Sequence, residues 1–264
     1  MENEVTIRLI VFLGLFTLLA LAEVLLPRRK RDLKRSTRWF TNIGLIIIDS
    51  ITIRLMAIVM PVMAVAAAAD ASGRGWGLLG TVDWPDWVEV ILAMLILDFV
   101  IWVQHLVTHK IPLLWRLHQV HHADRDMDVT TAIRFHPIEI ALSMVLKIGM
   151  VYAIGPIAFA VILFEILLNG AAMFNHANIR LPRKLDQIVR LVIVTPDMHR
   201  VHHSDIREEH DSNYGFSLSI WDRMFGTYVD QPTKGHDDMT IGLSWQDDKP
   251  LKLGWALMLP FRNK

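Results

Sequence analysis

The 264-residue chain contains no cysteine. It can therefore form no disulfide, ligate no iron–sulfur cluster and build no thiolate zinc site. It also has no net charge, 27 basic residues balancing 27 acidic ones, and so gives no electrostatic reason to expect a nucleic-acid partner. No Gly-x-Gly-x-x-Gly follows a strand-like segment, and no His-Glu-x-x-His is present. Against these absences stand a hydrophobic content of 53% and twelve histidines. Such a composition excludes intrinsic disorder, and any metal chemistry must be built from His, Asp and Glu.

The balanced charge is unevenly placed. Residues Val5 to Leu26 form an apolar run interrupted only by Arg8 and Glu23, long enough for a membrane-spanning helix. A signal peptide is the rival reading, because Ala20-Leu21-Ala22 resembles a cleavage site, but Glu2 and Glu4 occupy the place where its basic region belongs. Seven basic residues and one acidic follow between Arg28 and Arg38, which puts this loop in the cytoplasm and the N-terminus outside. A second apolar stretch, Phe40 to Ala69, crosses back, with Pro61 as its expected kink or end. The loop from Asp70 to Trp87 has one basic residue, Arg74, and fits the outer side. A third span runs from Val88 to His109. Two shorter apolar runs, Ile138 to Ile154 and Ile157 to Phe174, are joined by Gly155-Pro156 and read as a hairpin entering from the cytoplasm and returning to it. The expected fold is an all-α integral membrane protein with about four transmembrane helices, counted as two full spans plus a third and a helical hairpin. A cytoplasmic helical cap follows.

Nine histidines fall in four places: His105-x3-His109, His118-x2-His121-His122, His176, and His199-x2-His202-His203. Positions i, i+3 and i+4 share a helix face, so each multi-histidine motif aims its rings one way if helical. Pro112 marks a helix start ahead of His118, and Thr195-Pro196-Asp197 reads as an N-cap, N1 proline and acidic first turn ahead of His199. The topology, derived without the histidines, puts all four places on the cytoplasmic side. Eight or nine neutral imidazoles at one place suffice for two metal ions, and imidazole suits iron, zinc, copper and nickel. Taken singly, His136, His210 and His236 read as surface or capping residues. Within the spans, Asp98 shares a helix face with His105 and His109, and Glu165 and Asn169 share one with His176. Ionisable groups in spans face the bundle interior, so Asp98 and Glu165 are expected either to orient ligand histidines or to form interhelical ion pairs, for example with Arg54.

The segments DFVIWVQHLVTH, LLWRLHQVHHADRDMDVTTAIRFHPIE, MFNHANIRLP, TPDMHRVHHS and NYGFSLSIWDRMFGTY, spread over Leu97 to Tyr228, resemble the fatty acid hydroxylase and sterol desaturase superfamily. These are integral membrane enzymes with a non-haem di-iron centre held by histidine boxes. The resemblance implies that His105, His109, His118, His121, His122, His199, His202 and His203 are iron ligands, with His176 as a separate one. His136 matches a recurrent family position. Ala172 and Arg180 stand four residues either side of His176, where some members have a second histidine. Supporting positions around the ligands are expected at Asp98, Glu165, Asn169, His136 and Asp197.

The resemblance further implies two irons as cofactors, O2 as co-substrate and hydroxylation of a lipid C–H bond, with desaturation as the alternative outcome. Membrane lipids supply the substrate, whether fatty acyl, sterol-like or aminolipid. Electrons must come from an external ferredoxin- or cytochrome-type donor, since the chain has no cluster and the stretch after the last box is too short for a haem or flavin domain. The basic loop is a topology determinant or a surface for anionic headgroups or an acidic donor. Two other classes remain: a membrane zinc hydrolase, which needs fewer histidines, and a non-enzymatic metal- or haem-binding membrane protein. The expected organisation is a membrane region over 1–95, a catalytic region over 96–230 and a cytoplasmic tail over 231–264, in the cell inner membrane.

Overall fold

The computed structural model describes residues 3–60, 63–245 and 249–262. Pro61 and Glu2 lie outside the described residues. The long elements are all helices: α1 (Glu4–Leu25), α2 (Arg35–Val59), α3 (Ala64–Arg74), α4 (Asp86–Lys110), α5 (Pro112–His122), α6 (Pro137–Ile154), α7 (Ala158–His176), α8 (Arg183–Val189) and α9 (Pro196–His202). Among the described residues, extended pairing is limited to three isolated bridges. Five segments are long and apolar enough to cross a membrane: α1, the stretch Arg35–Thr81 that holds α2 and α3, α4, α6 and α7. Leu9, Leu13, Leu18, Ile47, Leu55 and Leu95 are exposed on their surfaces, a density of apolar exposure that water does not tolerate and lipid does. The chain is therefore an all-α integral membrane protein, with each leg of the hairpin counting as a span.

The hairpin tip is a close backbone approach. Gly155 has φ +65 and ends α6, and a Cβ on it would lie 2.1 Å from the Trp76 carbonyl oxygen. The Leu78 amide donates to the Ala153 carbonyl at 3.0 Å. The loop after α3 thus covers the hairpin at the membrane end opposite the histidines.

At the other end, polar pairing holds the segments together. The basic loop is built into the fold. Arg38 is fully buried, forking onto Asp124 with two contacts of 2.7 Å and reaching Asp128 at 2.6 Å. Glu23, buried near the end of α1, accepts from the Val129 and Asn178 amides at 2.7 and 2.9 Å and from Arg35 at 2.6 Å. Arg28 pairs with Asp197 at 3.2 Å. These acids would be costly to bury alone, so the arginines fix the loop, the segment after α5 and the segment after α7 in one arrangement.

Candidate metal centre

Local signals place the histidines. Pro112 opens α5, whose last turn carries His121 and His122, and Thr195 caps α9, its hydroxyl accepting from the Met198 amide at 3.4 Å. His105 and His109 occupy the last turns of α4, and His176 is the final residue of α7. All nine histidines are buried.

They form two adjoining groups: His105, His109, His118, His122 and His202 in one, and His121, His176, His199 and His203 in the other. Within each group, one ring nitrogen per residue lies within 4.8 Å of all the rest. The groups touch, the rings of His122 and His203 stacking at 4.6 Å and those of His199 and His202 at 5.0 Å.

The far side of each ring decides what the near side offers. His105 Nδ1 donates to the Tyr214 carbonyl at 2.7 Å, His118 Nδ1 to Glu139 Oε1 at 2.6 Å, and His121 Nδ1 to the Arg134 carbonyl at 3.2 Å. His176 Nδ1 donates to the Ala172 carbonyl at 2.6 Å and His202 Nδ1 to the Ser212 carbonyl at 2.7 Å. A neutral imidazole has one N–H, so each of these Nε2 atoms carries a lone pair. Yet Nε2 of His105 lies 3.1 Å from Nε2 of His118, and Nε2 of His176 lies 3.1 Å from that of His121, while His199, whose Nδ1 has no acceptor among the described residues, brings its Nε2 within 3.0 Å of His176 Nε2. Lone pairs facing at that distance repel unless a cation lies between them. Two nitrogens at right angles around an ion with bonds of roughly 2.1 Å would be about 3.0 Å apart. Further buried nitrogens, His109 Nε2, His122 Nε2, His202 Nε2 and both nitrogens of His203, have no hydrogen-bond partner among the described residues. The donor set therefore fits two metal ions. Burial, and next the repulsion among neighbouring rings, hold His121, His122, His199, His202 and His203 well below the ordinary imidazole range, which keeps them neutral.

The five expected supporting residues have other partners. Asp98 accepts from Trp221 Nε1 at 2.8 Å, and Glu165 pairs with Lys147 at 2.8 Å and with Arg8, not with Arg54. Asn169 donates to the Glu165 carbonyl at 2.8 Å. His136 caps α6, accepting from the Ile138 amide at 3.2 Å, while Asp197 pairs with Arg28 and Arg200. None of their hydrogen bonds among the described residues reaches one of the nine histidines. The residue in that position is Glu139, in the first turn of α6. Its place three residues beyond the capping histidine, in a helix whose start was visible, was the signal available. A second support is the turn Asn213-Tyr214-Gly215. Asp222 accepts from the Tyr214 and Gly215 amides, both at 2.8 Å, and so presents the carbonyl that His105 uses. Gly215 is required there, since a Cβ would lie 2.8 Å from the Leu218 carbonyl. His210 stacks on Trp115 beside the first group, whereas His236, expected at the surface, is buried.

The centre opens toward the membrane. A cavity of about 180 Å³ has His105, His118, Phe135 and Phe216 in its wall. It shares Gln104, Thr108, Glu139 and Ser143 with an apolar groove of about 500 Å³ between α4 and α6, lined by Phe99, Val103, Leu142 and Leu146.

The fatty acid hydroxylase family matches residues 90–227, just over half the chain. The chain is 28% identical over 236 residues to the ornithine lipid hydroxylase OlsE of Rhizobium tropici, covering 88% of this chain and 70% of that one. It is 35% identical over 144 residues to the alkylglycerol monooxygenase of Xenopus tropicalis and 30% over 141 residues to that of Homo sapiens. These matches take in 54% and 52% of this chain but only 31% and 29% of those longer relatives. No solved structure matches the chain.

Proposed function

Since the chain belongs to the fatty acid hydroxylase family, we propose that it is a membrane-embedded di-iron oxygenase that hydroxylates a C–H bond of a lipid. The observation that carries the reading is the set of facing Nε2 lone pairs in two touching groups of five and four histidines. His105, His109, His118, His122 and His202 would hold one iron, and His121, His176, His199 and His203 the other. An iron pair supplies the O2 activation that an unactivated C–H bond requires and that acid–base groups cannot provide. The protein's own part is positional. The carbonyls of Tyr214, Arg134, Ala172 and Ser212 and the Glu139 carboxylate fix ring tautomer and direction, as partners beyond the metal do in other histidine sites. Phe135, stacked on His121 at 4.6 Å, and Phe216, 4.9 Å from His105, exclude water from the membrane side.

The groove between α4 and α6 is the entry for the lipid chain, which reaches the inner cavity past Gln104 and Ser143, joined by a 3.3 Å contact. The N-terminus lies outside and the histidines on the cytoplasmic side of the cell inner membrane. Electrons come from a ferredoxin- or cytochrome-type donor on that side. The similarity to a lipid hydroxylase and to ether-lipid monooxygenases supports a polar membrane lipid as substrate.

Lipid extracts from cells with and without the enzyme, grown under 18O2, test the reading. The expected change is a lipid carrying one 18O atom. A product lacking two hydrogens and carrying no 18O would replace hydroxylation by desaturation, and unchanged lipids would overturn the proposal.

A further inference from the structure

A second built cavity lies outside the metal centre. It has a volume of about 680 Å³ and sits where α1 and α7 leave the membrane, between Arg28, the segment Arg180 to Arg190, and Asp230 to Asp237. Its level is set by α8 and the residues after it, which expose Leu185, Ile188, Leu191 and Val192 beside two helix ends, the pattern of an interfacial segment. Four arginines and four aspartates line it, so its wall carries no net charge.

In the wall of this basin, buried polar atoms have no hydrogen-bond partner among the described residues. His236 is 5% exposed and neither ring nitrogen is hydrogen-bonded, Nε2 lying 3.8 Å from Asp197 Oδ2. Asp186, 7% exposed, keeps Oδ1 free, and Arg190, 3% exposed, keeps Nε free although it pairs with Asp186 and with Asp230 at 3.0 Å. Buried groups of this kind call for a ligand that offers both donors and acceptors. Most of these charges pair across the wall, Arg28 with Asp197 and Asp237 and Arg190 with Asp186 and Asp230, so a lone anion or cation would unbalance them whereas a zwitterion can insert between such pairs. Three residues beyond Arg190, Ile193 joins Leu19, Leu95 and Phe174 in the wall of an apolar groove of about 690 Å³ facing the membrane between α1, α4 and α7.

We propose that the basin binds the zwitterionic headgroup of a membrane lipid on the histidine-bearing side of the bilayer, with an acyl chain in this groove. The site is separate from the entry between α4 and α6 and does not depend on the oxygenase reading.

Native mass spectrometry of metal-loaded protein in detergent tests it, with dihexanoyl phosphatidylethanolamine, dihexanoyl phosphatidylglycerol, dihexanoylglycerol and free phosphoethanolamine as probes. The zwitterionic lipid should bind about tenfold or more tightly than the other three, the difference expected for a hydrogen bond to a charged group. Asp230 and Asp237 are exposed rim residues, so the double variant D230N/D237N should fold normally while its basic excess reverses the preference toward phosphatidylglycerol. Equal binding of all headgroups, or an unchanged order in D230N/D237N, overturns the proposal. Phosphoethanolamine binding as tightly as the lipid would overturn the lipid as occupant.

Discussion

Replacing Arg38 by methionine removes a fully buried guanidinium that forks onto Asp124 and also reaches Asp128. Asp124 also accepts from Asn42 at 3.1 Å and Thr131 at 2.8 Å, and it lies three residues after His121 and two after His122. Methionine fills much of the same volume but leaves two carboxylates without their cation. Breaking a buried pair in this way costs about 3–5 kcal/mol. For a chain of this size each kcal/mol lowers the melting temperature by about 2–4 °C, so the variant should melt roughly 6–20 °C below wild type. In the wild type the pair's contribution should not change with pH across the ordinary range. Burial would raise the Asp124 carboxyl, but Arg38 outweighs it and holds the group far below the usual carboxylate range. A depressed carboxylate contributes stability that is present above about pH 3.9 and fades only as pH falls toward the folded value. Tryptophan fluorescence melts in detergent at pH 5.5 and 7.5, with metal content measured alongside, provide the assay. Arg38→Lys should recover part of the loss, keeping the charge without the fork. An Arg38→Met protein that melts within about 2 °C of wild type with full metal would mean that the buried Arg38 pairs do not hold this end of the fold together.

Other expectations concern the centre and its approaches. His121→Ala and His202→Ala each remove a ligand from a different group, and both should abolish turnover while the protein still inserts in the membrane; turnover in either would contradict a shared centre. Glu139→Ala frees His118 Nδ1 and should weaken metal binding about 10–100-fold in a chelator competition, whereas Glu139→Gln, which keeps an acceptor, should retain most of it. Stripping the metal should make stability acid-sensitive. Histidines held neutral by burial bind fewer protons than the unfolded chain, so the metal-free protein should lose stability as pH falls below about 6.5; a melt that is flat between pH 7.5 and 5.5 would argue against it. Leu146→Trp, in the groove wall, should raise KM for the lipid with iron content unchanged, and an unaltered KM would remove this groove as the entry.

The spans and the histidine positions were legible in the sequence because each is a local pattern: apolar length, proline and threonine at helix starts, and i, i+3, i+4 spacing. Partners were not. Asp98, Glu165 and Asn169 do lie on the helix faces expected of them, but a face does not say which neighbour meets it, and they meet Trp221, Lys147, Arg8 and the chain's own carbonyls. Arg38 looked like the end of a topology-setting basic run, and its burial became visible only when α2 packed on the segment after α5. Glu139 and Asp222 act through contacts with distant residues, His118 and the turn at Tyr214, which no local pattern records. His236 sits in a polar stretch that reads as solvated, yet the fold closes over it.

In the proposed enzyme the two histidine groups hold two irons that serve one oxygenation centre. Metal analysis of the purified protein by mass spectrometry, normalised to chain concentration, tests it most directly. Two irons per chain are expected, with fewer than two in both His121→Ala and His202→Ala. One zinc per chain, with lipid turnover that persists without O2, would contradict it.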